Sequence, residues 1–413
     1  MLESEAEFYI AAACFRTGPY GAIGLELERI LHDAADPKRS VPVAEVRAVA
    51  GGTGETLPRG GVITFEPGGQ LEVSTACAPG IAALVKDVRT DLAAIDARIA
   101  DAGLSYSPVA LDGLRPPVRT LELPRYEAME EYYDRSSPAG VTMMCSTASL
   151  QVCFDAGGEG TGTGSAVQRW RRLHDLAPVL IATFANSPFR FGVPSGWRSA
   201  RQGVWLATDR SRAAPVPPSD DPPSAWARYA LDAYVLCIPS NDGSWQAPRG
   251  LTMRGWLRGE GPRPATLTDI DYHLTTLFPD VRPRGFLELR VIDAQAGSDW
   301  EAVAALTAAL VDDERAADLA ADACAPLAGL PNPVSVAARD ALTDPVLAAA
   351  ALSCAEAALG ALDRLGADVE TKSRTEAFVE RYTARGRCPA DDRVELWRRT
   401  GSYFDPPGDG QVP

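Results

Sequence analysis

The sequence is poor in histidine, has no closely paired cysteines, and carries fewer basic than acidic residues. Only 3 of its 413 residues are histidine, and no two of them have zinc spacing. Its 8 cysteines are scattered without a Cys-x-x-Cys pair, which is typical of a reducing compartment and not of a disulfide scaffold. With 40 basic against 55 acidic residues, nucleic acid is not an expected partner, because phosphates are held mainly by Lys and Arg.

The chain also lacks a long apolar run, and we do not expect its first residues to form a secretion signal. The most apolar stretch, "VLAAAALSCAEAALGAL" from Val346 to Leu362, is rich in alanine and interrupted by Glu356, so we expect a packed helix there and not a membrane span. The start "MLESEAEFYI" has neither the basic nor the apolar region of a secretion signal. We therefore expect a cytoplasmic, globular protein with no membrane partner.

The pattern along the chain predicts one domain over residues 1–405. Its sheet-rich part covers about residues 18–295, and a helical part covers about residues 298–400. The proline-rich "RAAPVPPSDDPPS", Arg212 to Ser224, predicts a long surface loop that is a linker or a mobile element over a site. The glycine-rich "DAGGEGTGTGSA" lacks the GxxxxGK[ST] pattern of phosphate-binding loops, so it predicts a connection between a strand and a helix.

Strand-like segments place polar side chains two residues apart. In "IGLELERIL", Glu26 and Glu28 share one face of the strand, because side chains at i and i+2 point the same way. The same alternation in three further segments aligns Gln70 with Glu72 and Ser74, Gln151 with Cys153 and Asp155, and Glu288 with Arg290. Four such faces predict an α+β fold in which an antiparallel sheet has a polar concave side and helices cover its other side.

A face that carries so many carboxylates requires cations, because clustered acids raise one another's pKa and lose their charge. Oxygen ligands with few histidines select magnesium or manganese over zinc. The expected partner is therefore Mg²⁺ (or Mn²⁺) with a polyphosphate, and Arg290 beside Glu288 would supply a permanent cation to the phosphates. This pattern indicates phosphoryl transfer. The candidate metal ligands are Glu26, Glu28, Glu72, Gln151 and Glu288.

Eight stretches resemble the glutamate-cysteine ligases of the plant and actinobacterial type, and most closely those that open ergothioneine biosynthesis. They run in order over about residues 18–295: "GPYGAIGLELE", "ITFEPGGQLEVS", "RYEAMEEYY", "MMCSTASLQVCFDAG", "FANSPFRFG", "RQGVWLATDRSR", "WARYALDAYVL" and "DYHLTTLFPDVRPRGFLELRVIDA". The resemblance implies a glutamine-synthetase-like curved antiparallel sheet that forms an active-site funnel, with helices on its outer face. The funnel would hold magnesium ions, ATP and the amino-acid substrates.

The resemblance also implies a reaction and a set of roles. ATP would phosphorylate the γ-carboxylate of L-glutamate, and the amine of a small L-amino acid would attack the acyl phosphate. The implied catalytic residues are Arg290, Glu288 and His273; those for ATP are Arg201, Arg282 and Asp209; those for substrates are Arg125, Tyr126, Cys153 and Trp205. The alternative for the arginines outside the metal face is a structural role. For His273, Tyr126 and Trp205 the alternative is packing.

A polar residue of the family pattern is replaced beside Gln151. Cys153 stands in "QVCFD" where the family has Asn in "QVNLD". L-Cysteine is the leading candidate for the acceptor, but a thiol in place of an amide would also suit a more apolar acceptor. The alternative is thus a γ-glutamyl ligase of natural-product biosynthesis that acts on a non-protein amino acid such as propargylglycine. If Cys153 instead lies beside the metals, it would affect metal or ATP dependence. A further alternative is a catalytically silent binding homologue.

Overall fold

The computed structural model describes residues 1–18, 21–135, 137–160, 162–241 and 243–404. Up to Asp293 the fold is built around an antiparallel sheet. The strands are β1 (Ala22–Arg29), β2 (Leu31–Asp33), β3 (Val62–Phe65), β4 (Leu71–Ser74), β5 (Ala78–Pro79), β6 (Leu104–Tyr106), β7 (Ser149–Asp155), β8 (Phe189–Arg190), β9 (Val193–Pro194), β10 (Val281–Pro283) and β11 (Phe286–Asp293).

The helices flank this sheet and make up the last part of the chain. They are α1 (Glu3–Cys14), α2 (Val43–Ala50), α3 (Ile81–Asp101), α4 (Pro124–Asp134), α5 (Ala139–Ser146), α6 (Ala166–Thr183), α7 (Ala200–Leu206), α8 (Arg210–Ala213), α9 (Pro222–Asp232), α10 (Met253–Gly255), α11 (Leu267–Leu274), α12 (Trp300–Asp312), α13 (Glu314–Cys324), α14 (Pro333–Asp340), α15 (Pro345–Leu359), α16 (Val369–Arg381) and α17 (Pro389–Thr400). Shorter helical turns cover Trp256–Glu260, Ala325–Gly329, Ala341–Thr343 and Thr383–Arg385.

The central sheet has the order β10-β11-β7-β1-β4-β3, with β5 paired to β1, and its pairings are antiparallel. Its register brings the predicted polar positions together. Glu26 lies opposite Gln151, Glu28 opposite Glu72, and Glu288 opposite Cys153. The intervening apolar residues are buried on the other face, where α3, α6 and α12 pack. The predicted α+β architecture with an antiparallel sheet is confirmed.

The last hundred described residues are helical, as predicted. The apolar stretch from Val346 forms most of α15, and its side chains Leu347, Ala351 and Ala358 are buried in the core. Among the described residues no single helix is long and apolar enough to cross a membrane; only the bent pair Pro333–Thr343 and Pro345–Leu359 would be, by length and composition. Residue 405, the predicted end of the domain, lies outside the described residues, and the single catalytic domain stays a prediction.

The glycine-rich stretch connects β7 to α6, as the sequence predicts. Gly157 in this connection has φ +92°, and a Cβ there would lie 2.6 Å from the Arg169 side chain and 2.6 Å from the Gly164 carbonyl oxygen. Both the left-handed backbone and the close approach therefore require glycine at this position.

The proline-rich segment is helical at both ends, which corrects the predicted loop from Arg212 to Ser224. Arg212 belongs to α8 and is fully buried; it donates to Asp209 Oδ2 at 2.9 Å and to the backbone oxygens of Thr276 and Tyr234 at 2.8 and 2.6 Å. At the other end Pro222 opens α9, a position where the missing N–H costs nothing. Only residues 214–221 form the connection.

This burial predicts that Arg212 is structural. We expect Arg212→Ala to lower the free energy of unfolding by about 3–5 kcal/mol, because the change leaves the Asp209 carboxylate without its cationic partner and removes a donor from two backbone oxygens. The midpoint of urea unfolding, followed by circular dichroism at neutral pH, measures the effect. Arg210→Ala on the exposed side of the same helix is the control and is expected to change stability by less than about 0.5 kcal/mol. Equal midpoints for the two variants would contradict the role.

Candidate functional site

A cavity of about 280 Å³ opens over the polar face of the sheet. Its lining combines three kinds of side chain. The carboxylates are Glu26, Glu28, Glu66 and Glu72; the guanidinium groups are Arg125, Arg282, Arg284 and Arg290; the apolar and aromatic members include Met129, Met143, Met144, Tyr126, Trp205 and Phe278. Charges of both signs thus face one enclosed volume, which suits a ligand that brings both cations and anions.

Glu28, Glu66 and Glu72 form an all-oxygen cluster, with one carboxylate oxygen of each within 4.8 Å of the others. Glu28 is fixed by the Ser149 backbone N–H, which donates to Oε2 at 2.7 Å, and Glu72 by the Thr64 hydroxyl at 2.6 Å. Burial and the neighbouring carboxylates raise the pKa of Glu66 and Glu72. Such a set of hard oxygen donors, short of cations, fits Mg²⁺ or Mn²⁺.

The sequence reasoning missed Glu66. It lies one residue beyond β3, in the turn where its N–H donates to the Gln70 carbonyl at 2.9 Å. The signal was available, because Glu66 follows Thr64 at i+2 and Thr64 pairs with Glu72 in the sheet. The alternation of polar and apolar side chains along β3 therefore continues one residue beyond the last residue of the strand. Gln70, predicted beside Glu72, instead precedes β4 and donates to the Thr147 carbonyl at 2.9 Å.

Glu26, Cys153 and Glu288 form a second cluster on three adjacent strands, again with donor atoms within 4.8 Å of one another. Burial and the nearby carboxylates of Glu288 and Glu72 raise the pKa of Glu26 to about 8. Burial also raises the pKa of the Cys153 thiol well above its ordinary value. Of this cluster only Glu26 is among the described side chains that line the cavity, whereas Cys153 and Glu288 lie behind it in the sheet.

Glu288 is completely buried and is bound by two arginines. Arg282 forms a two-point contact with Nε–Oε2 at 2.5 Å and Nη2–Oε1 at 3.1 Å, and Arg290 Nη1 donates to Oε2 at 3.1 Å. Burial alone would raise the pKa of Glu288, but Arg282 and Arg290 outweigh it and lower the pKa to about 2. This carboxylate is therefore ionised across the physiological range and holds both guanidinium groups at the cavity wall.

Gln151 connects the first cluster to Arg290. Its amide Nε2 donates to Glu28 Oε1 at 2.9 Å, while its Oε1 accepts a hydrogen bond from Arg290 Nη1. Gln151 was predicted as a metal ligand. In the structure both ends of its amide are engaged with protein groups that themselves line the cavity.

Arg125, Tyr126 and Trp205 reach the cavity, as predicted for substrate-binding residues. Arg125 donates to the Thr275 hydroxyl at 2.7 Å and to its carbonyl at 2.8 Å, which fixes the guanidinium plane. Burial and the nearby Glu66 raise the pKa of Tyr126 to about 12, so it stays a neutral phenol. The indole N–H of Trp205 is buried and finds no acceptor among the described residues, which leaves a donor for a ligand.

Five predicted site residues are not among the described side chains that line the cavity: Cys153 and Glu288 belong to the second cluster, and the other three are engaged in structural contacts. Arg201 is buried behind β11, where it donates to the Arg290 carbonyl at 2.8 Å. Asp209 caps α8 and accepts from Arg212. His273 is buried in α11 with Nε2 2.8 Å from the Ala230 carbonyl, and burial lowers its pKa to about 4. Their motifs are present, but the structure does not support direct contact with ATP or with reacting groups.

Comparisons with known proteins identify a family and its members. The model of the glutamate-cysteine ligase family 2 (GCS2) matches residues 22–403. The glutamate-cysteine ligase EgtA of Mycobacterium tuberculosis H37Rv is 39% identical over 408 residues, which cover 94% of this chain and 89% of that protein. EgtA of Mycolicibacterium smegmatis is 38% identical over 395 residues, 94% of this chain and 90% of that protein.

More distant similarity extends to plants and to a solved structure. The chloroplastic glutamate-cysteine ligase of Brassica juncea is 30% identical over 259 residues, 60% of this chain and 48% of that protein. The crystal structure of a bifunctional glutathione synthetase from Pasteurella multocida superimposes with a TM-score of 0.53 and 16% identity; the match covers 97% of this chain and 53% of that one. At this identity the match shows a shared fold alone, and this chain spans about half the length of that protein.

The raised pKa of Glu26 predicts a stability that depends on pH. The folded-state pKa of about 8 lies above the ordinary 4.5, so folding favours the protonated form, and this contribution to stability is lost as pH rises from about 5 to 8. Without metal, Glu26→Gln is expected to be more stable than the wild type by at least about 1 kcal/mol at pH 8 and equal to it at pH 5. Urea unfolding in a chelator at both pH values measures this. Exposed Glu356→Gln is the control, and no gain at pH 8 would contradict the prediction.

Proposed function

The chain belongs to the glutamate-cysteine ligase family 2, and from this premise and the site we propose that it is an ATP-dependent ligase that joins the γ-carboxylate of L-glutamate to the amine of L-cysteine. The observation that carries the proposal is the cavity in which four carboxylates, those of the Glu28 cluster together with Glu26 of the second cluster, face Arg282, Arg284 and Arg290. The partners are small molecules: ATP, L-glutamate and L-cysteine. By similarity to the EgtA proteins, the product would serve ergothioneine biosynthesis, in the cytoplasm.

The chemistry needs activation of a poor electrophile. The γ-carboxylate of glutamate attacks the γ-phosphorus of ATP, and ADP leaves; the resulting γ-glutamyl phosphate is attacked by the amine, and phosphate leaves from the tetrahedral intermediate with the peptide-like amide formed. The protein must hold three substrates, compensate the charge of the transferring phosphoryl group, and exclude water. A cavity lined by both carboxylates and arginines meets the second requirement.

The carboxylate clusters supply the cation positions. Glu28, Glu66 and Glu72 fit a magnesium or manganese ion by their donor set, and Glu26 and Glu288 offer oxygens to a second ion. Divalent ions bound there would shield the phosphate charges of ATP. Burial and mutual repulsion raise the pKa of Glu26, Glu66 and Glu72, so a cation bound among these carboxylates would favour their charged forms.

The arginines supply the anion positions. Arg290 is directed by Glu288 and Gln151, and its guanidinium keeps donors for an incoming phosphoryl group. Arg282 uses three of its five N–H donors on Glu288 and the Leu277 carbonyl, so we assign it mainly to positioning Glu288. Arg125, fixed by Thr275, is the candidate for a substrate carboxylate.

The acceptor assignment follows from the place of Cys153. The alternative of a natural-product ligase for propargylglycine rested on a thiol in the acceptor pocket, but Cys153 clusters with Glu26 and Glu288 and is not among the described side chains that line the cavity. L-Cysteine is therefore the proposed acceptor, as in the glutamate-cysteine ligases that this chain resembles. The intact carboxylate and arginine set argues against a catalytically silent homologue.

ATP-dependent phosphate release with L-glutamate and a panel of acceptors tests the function. We expect kcat/KM to be highest for L-cysteine, ahead of 2-aminobutyrate and propargylglycine, with γ-glutamylcysteine identified by mass spectrometry and activity abolished by a chelator. Glu72→Gln is expected to lose at least about a hundredfold in rate, because bound metal contributes several kcal/mol of charge stabilisation. Glu356→Gln is the control with wild-type activity. Phosphate release that no acceptor stimulates would overturn the proposal, and a preference for propargylglycine would overturn the acceptor.

Glu72 is a sharper choice than Glu288 for this test. Replacing Glu288 would leave Arg282 and Arg290 buried without their shared counter-ion, and a loss of activity would then mix metal binding with misplacement of both arginines. Within the described part of the chain, Glu72 accepts hydrogen bonds from the hydroxyl groups of Thr64 and Ser74 alone, and an amide oxygen at this position can keep both.

Arg290→Lys tests the stabilisation of the transferring phosphoryl group. Replacing the planar guanidinium with an ammonium group is expected to lower kcat by about 10²–10³-fold and to change KM for glutamate much less. The reason is that the lost contact is made mainly in the transition state. Arg284→Lys is the matched control: Arg284 also lines the cavity, but its side chain is 45% exposed and lies 3.8 Å from Glu288. An equal loss in the two variants would count against a special role for Arg290.

A further inference from the structure

The two metal-binding clusters differ in one donor atom. The Glu28 cluster offers three carboxylate oxygens, whereas the second offers the carboxylates of Glu26 and Glu288 and the sulfur of Cys153. We propose that the position between Glu26, Cys153 and Glu288 selects a borderline, thiophilic divalent ion of the Zn²⁺ class over Mg²⁺. This inference rests on the proposed function, because it takes both clusters as metal positions of the ligase.

The geometry allows one ion to reach all three donors. Cys153 on β7 pairs directly with Glu288 on β11, and Glu26 on β1 lies opposite Gln151, the second residue before Cys153 along β7. Sulfur and oxygen ligands lie at about 2.3 and 2.0–2.2 Å from zinc, so two donors on one tetrahedral ion are about 3.4–3.7 Å apart. The three atoms lie within 4.8 Å of one another, and with Glu288 held by its arginines, Glu26 and Cys153 would have to move toward it to bind one ion.

The donor set disfavours magnesium at this position. Mg²⁺ requires near-octahedral oxygen coordination and does not bind thiolate well, whereas Zn²⁺ and Co²⁺ accept sulfur and carboxylate together. Two carboxylates and one sulfur leave a further coordination position open, as in zinc sites that bind a substrate. The Asn of the family pattern would offer an amide oxygen here, so the change to Cys153 replaces a hard donor with a soft one.

The surrounding charge acts in the same direction. Glu288 is already neutralised by Arg282 and Arg290, so this position attracts a cation by charge less strongly than three carboxylates would. A hard ion, which binds mainly through charge, loses most from that neutralisation. A thiophilic ion keeps its bond to sulfur, and binding releases the thiol proton to solvent.

Cobalt(II) is the probe for this position, because a cobalt–thiolate bond gives a charge-transfer band in the near ultraviolet. The full-length protein is titrated with Co²⁺ in excess Mg²⁺, under conditions that keep thiols reduced. We expect the band in the wild type, and its loss in Cys153→Ser and Cys153→Asn, with at least tenfold weaker Co²⁺ binding in both by equilibrium dialysis. Cys77→Ser is the matched control, since Cys77 is an exposed thiol outside the cluster, and it is expected to keep the band.

Two results would overturn the proposal: a wild-type protein that binds Co²⁺ without the band, or a band that persists in both Cys153 variants. Cys153→Asn restores the residue of the family pattern, so the test remains decisive if Cys153→Ser folds poorly. The ligase assay with Mg²⁺ alone reports separately on the proposed function. A Cys153-dependent band in a protein without ligase activity would support the metal position and reject the ligase; ligase activity without the band would do the reverse.

Discussion

The charge pattern of the cavity depends on one buried carboxylate. Glu288 has no solvent contact, and its ionised form persists only because Arg282 and Arg290 bind it from two directions. A buried ion pair of this kind contributes little net stability, but removal of one partner leaves a strongly unfavourable charge. Its effect here is to hold the flexible side chains of Arg282 and Arg290 in fixed positions at the wall of the cavity. The remaining carboxylates are left without comparable partners, and they are the ones available to cations.

Within the described residues the site therefore has two parts: a carboxylate whose charge is paired with arginines, and carboxylates whose charges are not paired in this way. Glu26, Glu66 and Glu72 lie near one another and are largely buried. Burial and mutual repulsion raise the pKa of each and so disfavour the charged form. A sequence chosen only for stability would not gather acids in this way. Such local conflicts are expected at functional sites, where the rest of the fold compensates for them. Here a large apolar core behind the sheet provides that compensation.

Alternation along the strands was enough to predict the sheet, its polar face and most of its acids, since period-2 patterns fix the direction of every side chain. The same reasoning stopped at strand ends: Glu66 continues the face of β3 but lies in a turn. The contacts of residues in helices and helix caps were harder to predict. Arg201, Asp209 and His273 belong to recognisable motifs, yet a motif does not reveal which way a side chain points, and all three point into protein. Arg212 was hidden by its proline-rich neighbours, because composition does not show a buried cation.

The amide of Gln151 has a consequence for the order in which ligands affect one another. It donates to Glu28 and accepts from Arg290, so it cannot reverse without placing donor against donor and acceptor against acceptor. The negative Glu28 carboxylate and the positive Arg290 guanidinium polarise the amide in the same direction, so the two hydrogen bonds reinforce each other. By thermodynamic reciprocity, any effect that a ligand at Glu28 has on binding at Arg290 must be matched by an equal effect of the second ligand on the first. One neutral side chain thereby joins a carboxylate of the first cluster to an arginine of the cavity wall.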